Sequence, residues 1–342
     1  MEFTDVNAPE PVAGRPPWQD PAWVAEAEEW ISAGCARAGL GRTGTALARA
    51  RMYSVVVRVP TSGGTVWFKA SPPAASFEPA LIDALAHWFP DQFAAPVAVD
   101  LDRAWSLTRD GGQTLAEARE RADDLGAWQA MLCGYARLQF GLAPHATELL
   151  GLGLADLRPD SIPWQFDKVL ADPATERAVG AADGITPARY QALCELAPRL
   201  RDWCAELAGL AIPASLDHAD VHPNNVFAAR NTPFDWGDAA VTHPFCSLLI
   251  ALRTGAEHAS LPPRSPKLAA LTDDYLRFWL DAGYPRAAVD RSLSLALRIA
   301  PVGRALAWGR VFPCYHGHSR PAGYAIRSLA AMLEPDPVHP GS

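Results

Sequence analysis

The hydrophobic pattern of this chain changes its period once, and that change limits the folds open to it. In "RMYSVVVRVPTSGGTVWFKA" (Arg51 to Ala70), β-branched and aromatic residues form two short runs around "PTSGG", which reads as a β-hairpin. Two further strand candidates, "APVAVDLD" and "RAWSLTRD", come after a stretch of helical spacing, "ASFEPALIDALAHWF" (Ala75 to Phe89). A leading helix is expected at "PAWVAEAEEWISAGCARAG" (Pro21 to Gly39). After "DGGQTL" almost every stretch carries helical periodicity. Segregated in this way, strands and helices predict an α+β chain with a small antiparallel sheet lobe and a larger, mostly helical lobe. The expected divisions are a disordered tail over 1–17, a strand-rich lobe over 18–110, a helical lobe over 111–334 and a second tail over 335–342.

At 342 residues and 49% hydrophobic content, the chain is long enough for two cores. Its cysteines, at 35, 133, 194, 204, 246 and 314, form no CxxC pair, which argues against a disulfide framework or a zinc ribbon and suits a reducing cytoplasm. The stretch "MEFTDVNAPEPVAGRPP" is acidic and proline-rich, so neither a signal peptide nor a membrane anchor is expected there. No apolar run is long enough to span a bilayer. A net charge of −8 disfavours nucleic acid as the main partner and mildly favours a cationic small molecule.

Lys69 stands out in the first lobe. The chain has three lysines (Lys69, Lys168, Lys267), and this one lies inside the apolar strand "VWFKA". A compact ammonium on a flexible stem suits a point contact to phosphate oxygens, its burial offset by a carboxylate such as Glu78 in the next helix; a strand-edge lysine reaching water is the alternative. In the second lobe, "LDHADVHPNNVF" (Leu216 to Phe227) concentrates histidines, acids and asparagines. On an extended strand His218, Asp220 and His222 would share one face, as in a metal hydrolase. The next residues favour another chemistry: "VFAA", a turn at "RNTP", then "FDWGDAA" with Asp235 ten residues after Asn225. Strand, loop, strand, turn, strand and acid in this order suit phosphoryl transfer, in which one Asp meets the attacking hydroxyl while an Asn and a second Asp offer oxygens to magnesium.

"HADVHPNN" and "FDWGD" resemble the catalytic and metal-binding motifs of the aminoglycoside phosphotransferase and choline kinase relatives of the protein kinases. "VWFKA", "FEPALIDAL" and "LTRDGGQTL" resemble that family's ATP-lysine strand, the helix of its glutamate partner and its interlobe hinge, in order over residues 50 to 255. The resemblance implies a two-lobed protein-kinase-like fold, with the catalytic loop at 218–225 and the metal-binding segment at 234–238. It also implies an enzyme that moves the γ-phosphate of ATP or GTP to the hydroxyl of an amine-bearing or sugar-like acceptor. Asp220 would be the base, and Asn225 and Asp235 the Mg2+ ligands. Lys69 would contact the donor phosphates, held by Glu78, and the backbone from Leu107 to Arg109 would meet the adenine. His218 would shape the loop, and His222 would face solvent or substrate. An antibiotic-resistance role, a metabolic amino-sugar, amino-alcohol or amino-acid kinase, and a non-catalytic ligand-binding module all stay open.

Three positions depart from the family pattern. Ala219 replaces the usual glycine between histidine and aspartate, which fits unless the backbone there needs a positive φ. The first hairpin lacks a glycine-rich phosphate loop, and Ser247 stands where relatives carry an aspartate. For the acceptor, the helical lobe offers the acids Asp156, Asp160 and Asp167 and the aromatics Trp164, Trp203, Trp279, Trp308 and Tyr315. Helical apolar spacing assigns Trp203 and Trp279 to the core, which leaves Trp308 as the first aromatic to test.

Overall fold

A computed structural model describes residues 1–6, 17–51, 54–118, 125–262, 265–311 and 320–338. The chain divides into two compact units after Gly111, close to the boundary expected at residue 110.

The first unit contains β1 (Glu2–Val6), α1 (Pro21–Arg37), β2 (Leu47–Ala50), β3 (Val55–Thr61), β4 (Gly64–Ala70), α2 (Glu78–Trp88), β5 (Ala98–Asp100) and β6 (Trp105–Arg109). The strands form one sheet in the order β1-β2-β3-β4-β6-β5. The hairpin read around "PTSGG" is β3–β4, in register from Val55↔Ala70 to Thr61↔Gly64. Alternation decides its faces: Val55, Val57 and Val59 on β3 and Val66 and Phe68 on β4 are buried. Helix α1 starts at Asp20, whose carboxylate caps the Ala22 N–H at 2.9 Å ahead of Pro21. It brings Trp23 and Trp30 onto Phe68 and Trp105, with ring centres 5.5–6.4 Å apart. A Cβ on Gly34 would stand 3.2 Å from the Leu107 side chain, so a small residue sets the approach of helix to sheet there.

Two expectations are corrected at the chain ends. Residues 2–6, expected within a disordered tail, form β1, which pairs parallel with β2 and makes the sheet mixed instead of antiparallel. A five-residue strand carries too little periodicity to announce itself, and it gains its order from pairing along β2. Residues 7–16 lie outside the described residues. At the other end, within the tail expected over 335–342, Arg253 Nε donates to the carbonyls of Pro337 and Val338 at 3.1 and 3.2 Å, and Val338 is buried. Residues 339–342 lie outside the described residues.

The second unit is mainly helical, as its periodicity predicts. Its helices are α3 (Leu115–Ala118), α4 (Gly126–Leu142), α5 (Ala146–Gly151), α6 (Ile162–Leu170), α7 (Pro173–Ala178), α8 (Pro187–Gly209), α9 (Leu248–His258), α10 (Pro266–Asp281), α11 (Arg286–Val311) and α12 (Arg320–Ala330). Among these helices run β7 (Ala155–Leu157), β8 (Ser215–Asp217), β9 (Val226–Phe227), β10 (Thr232–Pro233) and β11 (Ala240–Thr242). Central strand β11 pairs parallel with β7 and antiparallel with β8, while β9 and β10 form a separate hairpin. Three-residue strands such as β7 and β11 are too short to show a period of two and escape the sequence reading. Cys35, Cys133, Cys194, Cys204 and Cys246 are unpaired, and Cys314 lies outside the described residues. Among the described residues no helix is long and apolar enough to cross a membrane.

The aromatic cluster under α1 generates a direct expectation. Phe68 is fully buried against three tryptophans, so Phe68→Ala should lower the free energy of unfolding by about 3–5 kcal/mol, read from urea denaturation.

Candidate active site

Each unit carries its own cluster of the residues singled out from the sequence. In the first, Lys69 projects from β4, and its Nζ lies 2.7 Å from Glu78 Oε1. Glu78 is the first residue of α2, where the helix dipole favours a carboxylate, and Ser71 Oγ donates to its second oxygen at 2.7 Å. The glutamate side chain is 4% exposed and the lysine 19%, so the ammonium keeps access to a ligand while its partner is locked in the core. Leu107 and Arg109 both lie on β6. Leu107 is fully buried and its carbonyl accepts the Val97 N–H at 2.7 Å, so its backbone is engaged in the sheet and not presented to a base. Arg109 ends β6, paired with Val66 of β4 and beyond the last pair of β6 with β5.

In the second unit, β8 ends at Asp217 and hands the chain to the loop 218–222. Ala219 takes φ +61, so the loop turns through the left-handed region and His218, Asp220 and His222 do not share a strand face. That overturns the geometry a hydrolase-type site would need. The positive φ also explains why glycine is the easier residue here. His218 is fully buried; its backbone N–H donates to the Tyr135 hydroxyl at 2.8 Å, and its Nε2 pairs with the Phe234 carbonyl at 2.8 Å. Its ring lies 4.5 Å from that of Trp236, a scaffold role of the kind expected. His222 accepts the Asn224 N–H on Nδ1 at 3.2 Å and places Nε2 3.5 Å from Asp220 Oδ2.

Asn225 and Asp235 are brought together by the β9–β10 hairpin. Val226 pairs with Pro233, and the Phe234 N–H donates to the Asn225 carbonyl at 3.0 Å, so Asp235 lies one residue beyond that pair. Asp235 itself adopts φ 64 and ψ 64, a strained conformation for a residue with a side chain and one that concentrates at functional sites. Asn225 Nδ2 donates to the Asp220 carbonyl at 3.2 Å, which leaves the amide oxygen as the group it can offer a ligand. One amide and one carboxylate oxygen suit magnesium, which takes few protein ligands and completes its shell from water and substrate. Among the described residues no group of three or more His, Cys, Asp or Glu gathers as a metal cluster.

The question raised by Ser247 has a structural answer. Ser247 Oγ donates to Asp217 Oδ1 at 2.6 Å, and the same oxygen accepts the Ala219 N–H at 2.9 Å. Asp217 is thus the buried carboxylate at this end of the loop, and Ser247 is its hydrogen-bond partner. Gln139 Nε2 donates to Ser247 Oγ at 3.0 Å and to the Leu216 carbonyl at 2.9 Å, and Tyr275 donates to Gln139 Oε1. Burial pushes the Asp217 carboxyl above its ordinary range despite these hydrogen bonds.

No protein-family model matches the chain, and no curated protein matches it in sequence. Solved structures do match in fold. An ethanolamine kinase from Plasmodium vivax aligns at TM-score 0.58 and 10% identity, covering 93% of this chain and 90% of that one. A macrolide 2′-phosphotransferase from Brachybacterium faecium aligns at 0.54 and 17%, covering 90% and 98%. An aminoglycoside phosphotransferase solved with GDP and kanamycin aligns at 0.54 and 14%, again covering 90% and 98%. The fold is protein-kinase-like.

Asp220, the residue expected to serve as base, meets a partner from far along this kinase-like chain. Arg304 of α11 places Nη1 3.1 Å from Asp220 Oδ1 and 3.5 Å from Asp238 Oδ2. Burial would raise the pKa of Asp220, but the hydrogen bond with His222 and the charge of Arg304 outweigh it, so the carboxyl sits below its ordinary range and is ionised at neutral pH. Sequence reading missed Arg304 and Asp238. The available signal was the spacing of Arg304 and Trp308, four apart on one helix face, with the guanidinium 5.0 Å from the Trp308 ring centre. Trp308 stacks on Tyr324 of α12 at 4.9 Å. Trp203 and Trp279 are core, as expected, and Trp164 is exposed beneath Lys168. Asp156 and Asp167 are held by Arg158 and Arg201, Asp160 is exposed, and Tyr315 lies outside the described residues.

Two outcomes test this loop geometry. Ala219→Val places a β-branched residue at φ +61 and should lower stability by about 2 kcal/mol, whereas Ala219→Gly should be neutral or stabilising by up to about 1 kcal/mol, both read by urea denaturation. The folded state binds the Asp217 proton more tightly than the unfolded chain, whose carboxyl titrates near 3.8. The stability it contributes is complete below that value and is lost as pH rises through the folded pKa. Asp217→Asn keeps the acceptor oxygen without titrating, so its stability relative to wild type should improve from pH 5 to pH 8. Parallel stability curves would remove Asp217 from this role.

Proposed function

We propose that the protein is a small-molecule kinase that transfers the γ-phosphate of ATP or GTP to a hydroxyl of an amine-bearing or sugar-like acceptor. The observation that carries this reading is the placement of Asp220: paired with Arg304 through Oδ1, with Oδ2 3.5 Å from both the Asn225 amide and His222. A carboxylate so fixed can take the proton of an attacking hydroxyl. The acceptor oxygen forms the new bond to the γ-phosphorus, the bond from phosphorus to the β–γ bridging oxygen breaks, and the nucleoside diphosphate leaves with that oxygen.

We infer the other roles from the chemistry of the residues. Lys69, oriented by Glu78, is the donor-phosphate contact, and the backbone at Arg109 is the candidate adenine edge. Asn225 and Asp235 are the residues that would hold Mg2+, which when bound supplies charge neutralisation on the phosphates. The solved structures of like fold are named for phosphotransferase and kinase activities, which supports the reaction class. One of them was solved with GDP and kanamycin, which supports a nucleotide donor and a sugar-like acceptor as the first to try. A cytoplasmic location fits the free cysteines.

An ATP- and GTP-consumption screen over amino sugars, aminoglycosides, macrolides, amino alcohols and hydroxy amino acids tests the proposal, with Asp220→Asn as the blank. Turnover should fall by about 10²–10⁴-fold in that variant, because it retains the shape of the carboxylate and loses the base. An Asp220→Asn protein with near wild-type turnover would sink the assignment.

A further inference from the structure

Arginines elsewhere in the protein show what a fully engaged guanidinium looks like. Arg158 grips Asp156 through Nε and Nη2 at 2.9 and 2.7 Å, and Arg291 grips Glu206 through the same two nitrogens at 2.5 Å each. That edge presents two parallel N–H donors and matches the spacing of carboxylate or phosphate oxygens. Arg304 is arranged differently. Its bonds to Asp220 and Asp238 both come from Nη1, and among the described residues Nε and Nη2 have no partner. The side chain is 19% exposed, so the vacant edge is open to a ligand next to the proposed base.

The surroundings of Arg304 extend the pattern. Its guanidinium packs over Trp308, Trp308 stacks on Tyr324 with ring planes 22° apart, and Arg327 lies over the far ring at 4.6 Å. A ladder of cation, two rings and cation thus leads away from Asp220. Of the acids singled out elsewhere in this unit, Asp156 and Asp167 pair with arginines, while Asp160 is exposed. A polycationic acceptor would meet two guanidiniums here, whereas an anionic one would find a fork of donors and a flat apolar face.

We propose that the Nε–Nη2 edge of Arg304 binds an anionic oxygen group, a carboxylate or phosphate, on the acceptor, while the Trp308–Tyr324 stack carries the acceptor's ring or apolar body. This rests on the kinase reading for its choice of acceptor hydroxyl but makes its own prediction about affinity. Arg304 then has two functions: Nη1 orients the base, and the opposite edge selects the molecule delivered to it.

Calorimetric binding of matched compounds tests the proposal without requiring turnover. The pairs are a hydroxy amino acid against its amino alcohol, a sugar acid against its parent sugar, and a sugar phosphate against the same sugar; each is titrated into wild type, Arg304→Lys and Arg304→Met. In at least one pair the anionic member should bind wild type about tenfold or more tightly than its partner, as a hydrogen-bonded charge implies. Arg304→Met should abolish that preference and Arg304→Lys should retain part of it. The carboxylate and phosphate pairs separate the two sources of anion. Equal or tighter binding of the neutral and cationic members, binding by none, or a preference unchanged in Arg304→Met overturns the proposal. Turnover with the same compounds is scored separately. Anion-selective binding without phosphate transfer would sink the kinase reading alone, and turnover of cationic acceptors indifferent to Arg304 would sink this inference alone.

Discussion

The hydrogen bond from Ser247 to the buried carboxylate of Asp217 is the constraint on which the loop 218–222 depends. It ties the end of β8 to the turn that opens α9, and through the Ala219 N–H it fixes the first turn of the loop that presents Asp220. Burying a carboxyl is costly unless its lone pairs are occupied, so the surrounding residues are committed to the same purpose. Tyr135 and Gln139 from α4 and Tyr275 from α10 complete a polar network inside an otherwise apolar core. Networks of this kind specify one arrangement of the backbone, because slipping any member leaves another unsatisfied.

From this fixed point the charges of the site sort themselves. Asp217, dry and partnered by neutral donors, has its carboxyl pushed towards the protonated form, while Asp220, three residues on and facing Arg304 and His222, is held ionised. Two acids so close in sequence acquire opposite tendencies from their neighbours alone. Strain marks the same region, with Ala219 and Asp235 both in the left-handed region. The rigid network behind the loop is what sustains such backbone geometry at the front of it.

Much of the fold was legible because its signals are periodic and its punctuation plain. The "PTSGG" hairpin, the helix of Glu78 and the change to helical spacing after residue 114 all carry enough residues to state their period. Strands β1, β7 and β11 do not, since three to five residues cannot distinguish a strand from a loop until a partner strand is known. For the site, the local motifs placed Asp220 beside Asn225 and Asn225 across a hairpin from Asp235, and the Lys69–Glu78 pair formed as its chemistry suggested. That burial and strand pairing take up the Leu107 backbone is visible only in the folded sheet. Arg304 went unseen because it lies more than eighty residues from the loop it meets, and no local pattern distinguishes an arginine that faces a carboxylate from one that faces water. Ser247 reads in the sequence as a departure from the family pattern, and its bond to Asp217 is visible only in three dimensions.

The central claim is that Asp220 delivers a hydroxyl other than water to a nucleotide's terminal phosphate. Phosphorus NMR of the wild-type protein with magnesium nucleotide and a mixed pool of hydroxyl acceptors tests it most directly. The account predicts that the γ-phosphate signal falls as a phosphate-monoester signal rises in equal amount. Loss of γ-phosphate solely to inorganic phosphate, or an unchanged nucleotide in the presence of every acceptor, would contradict it.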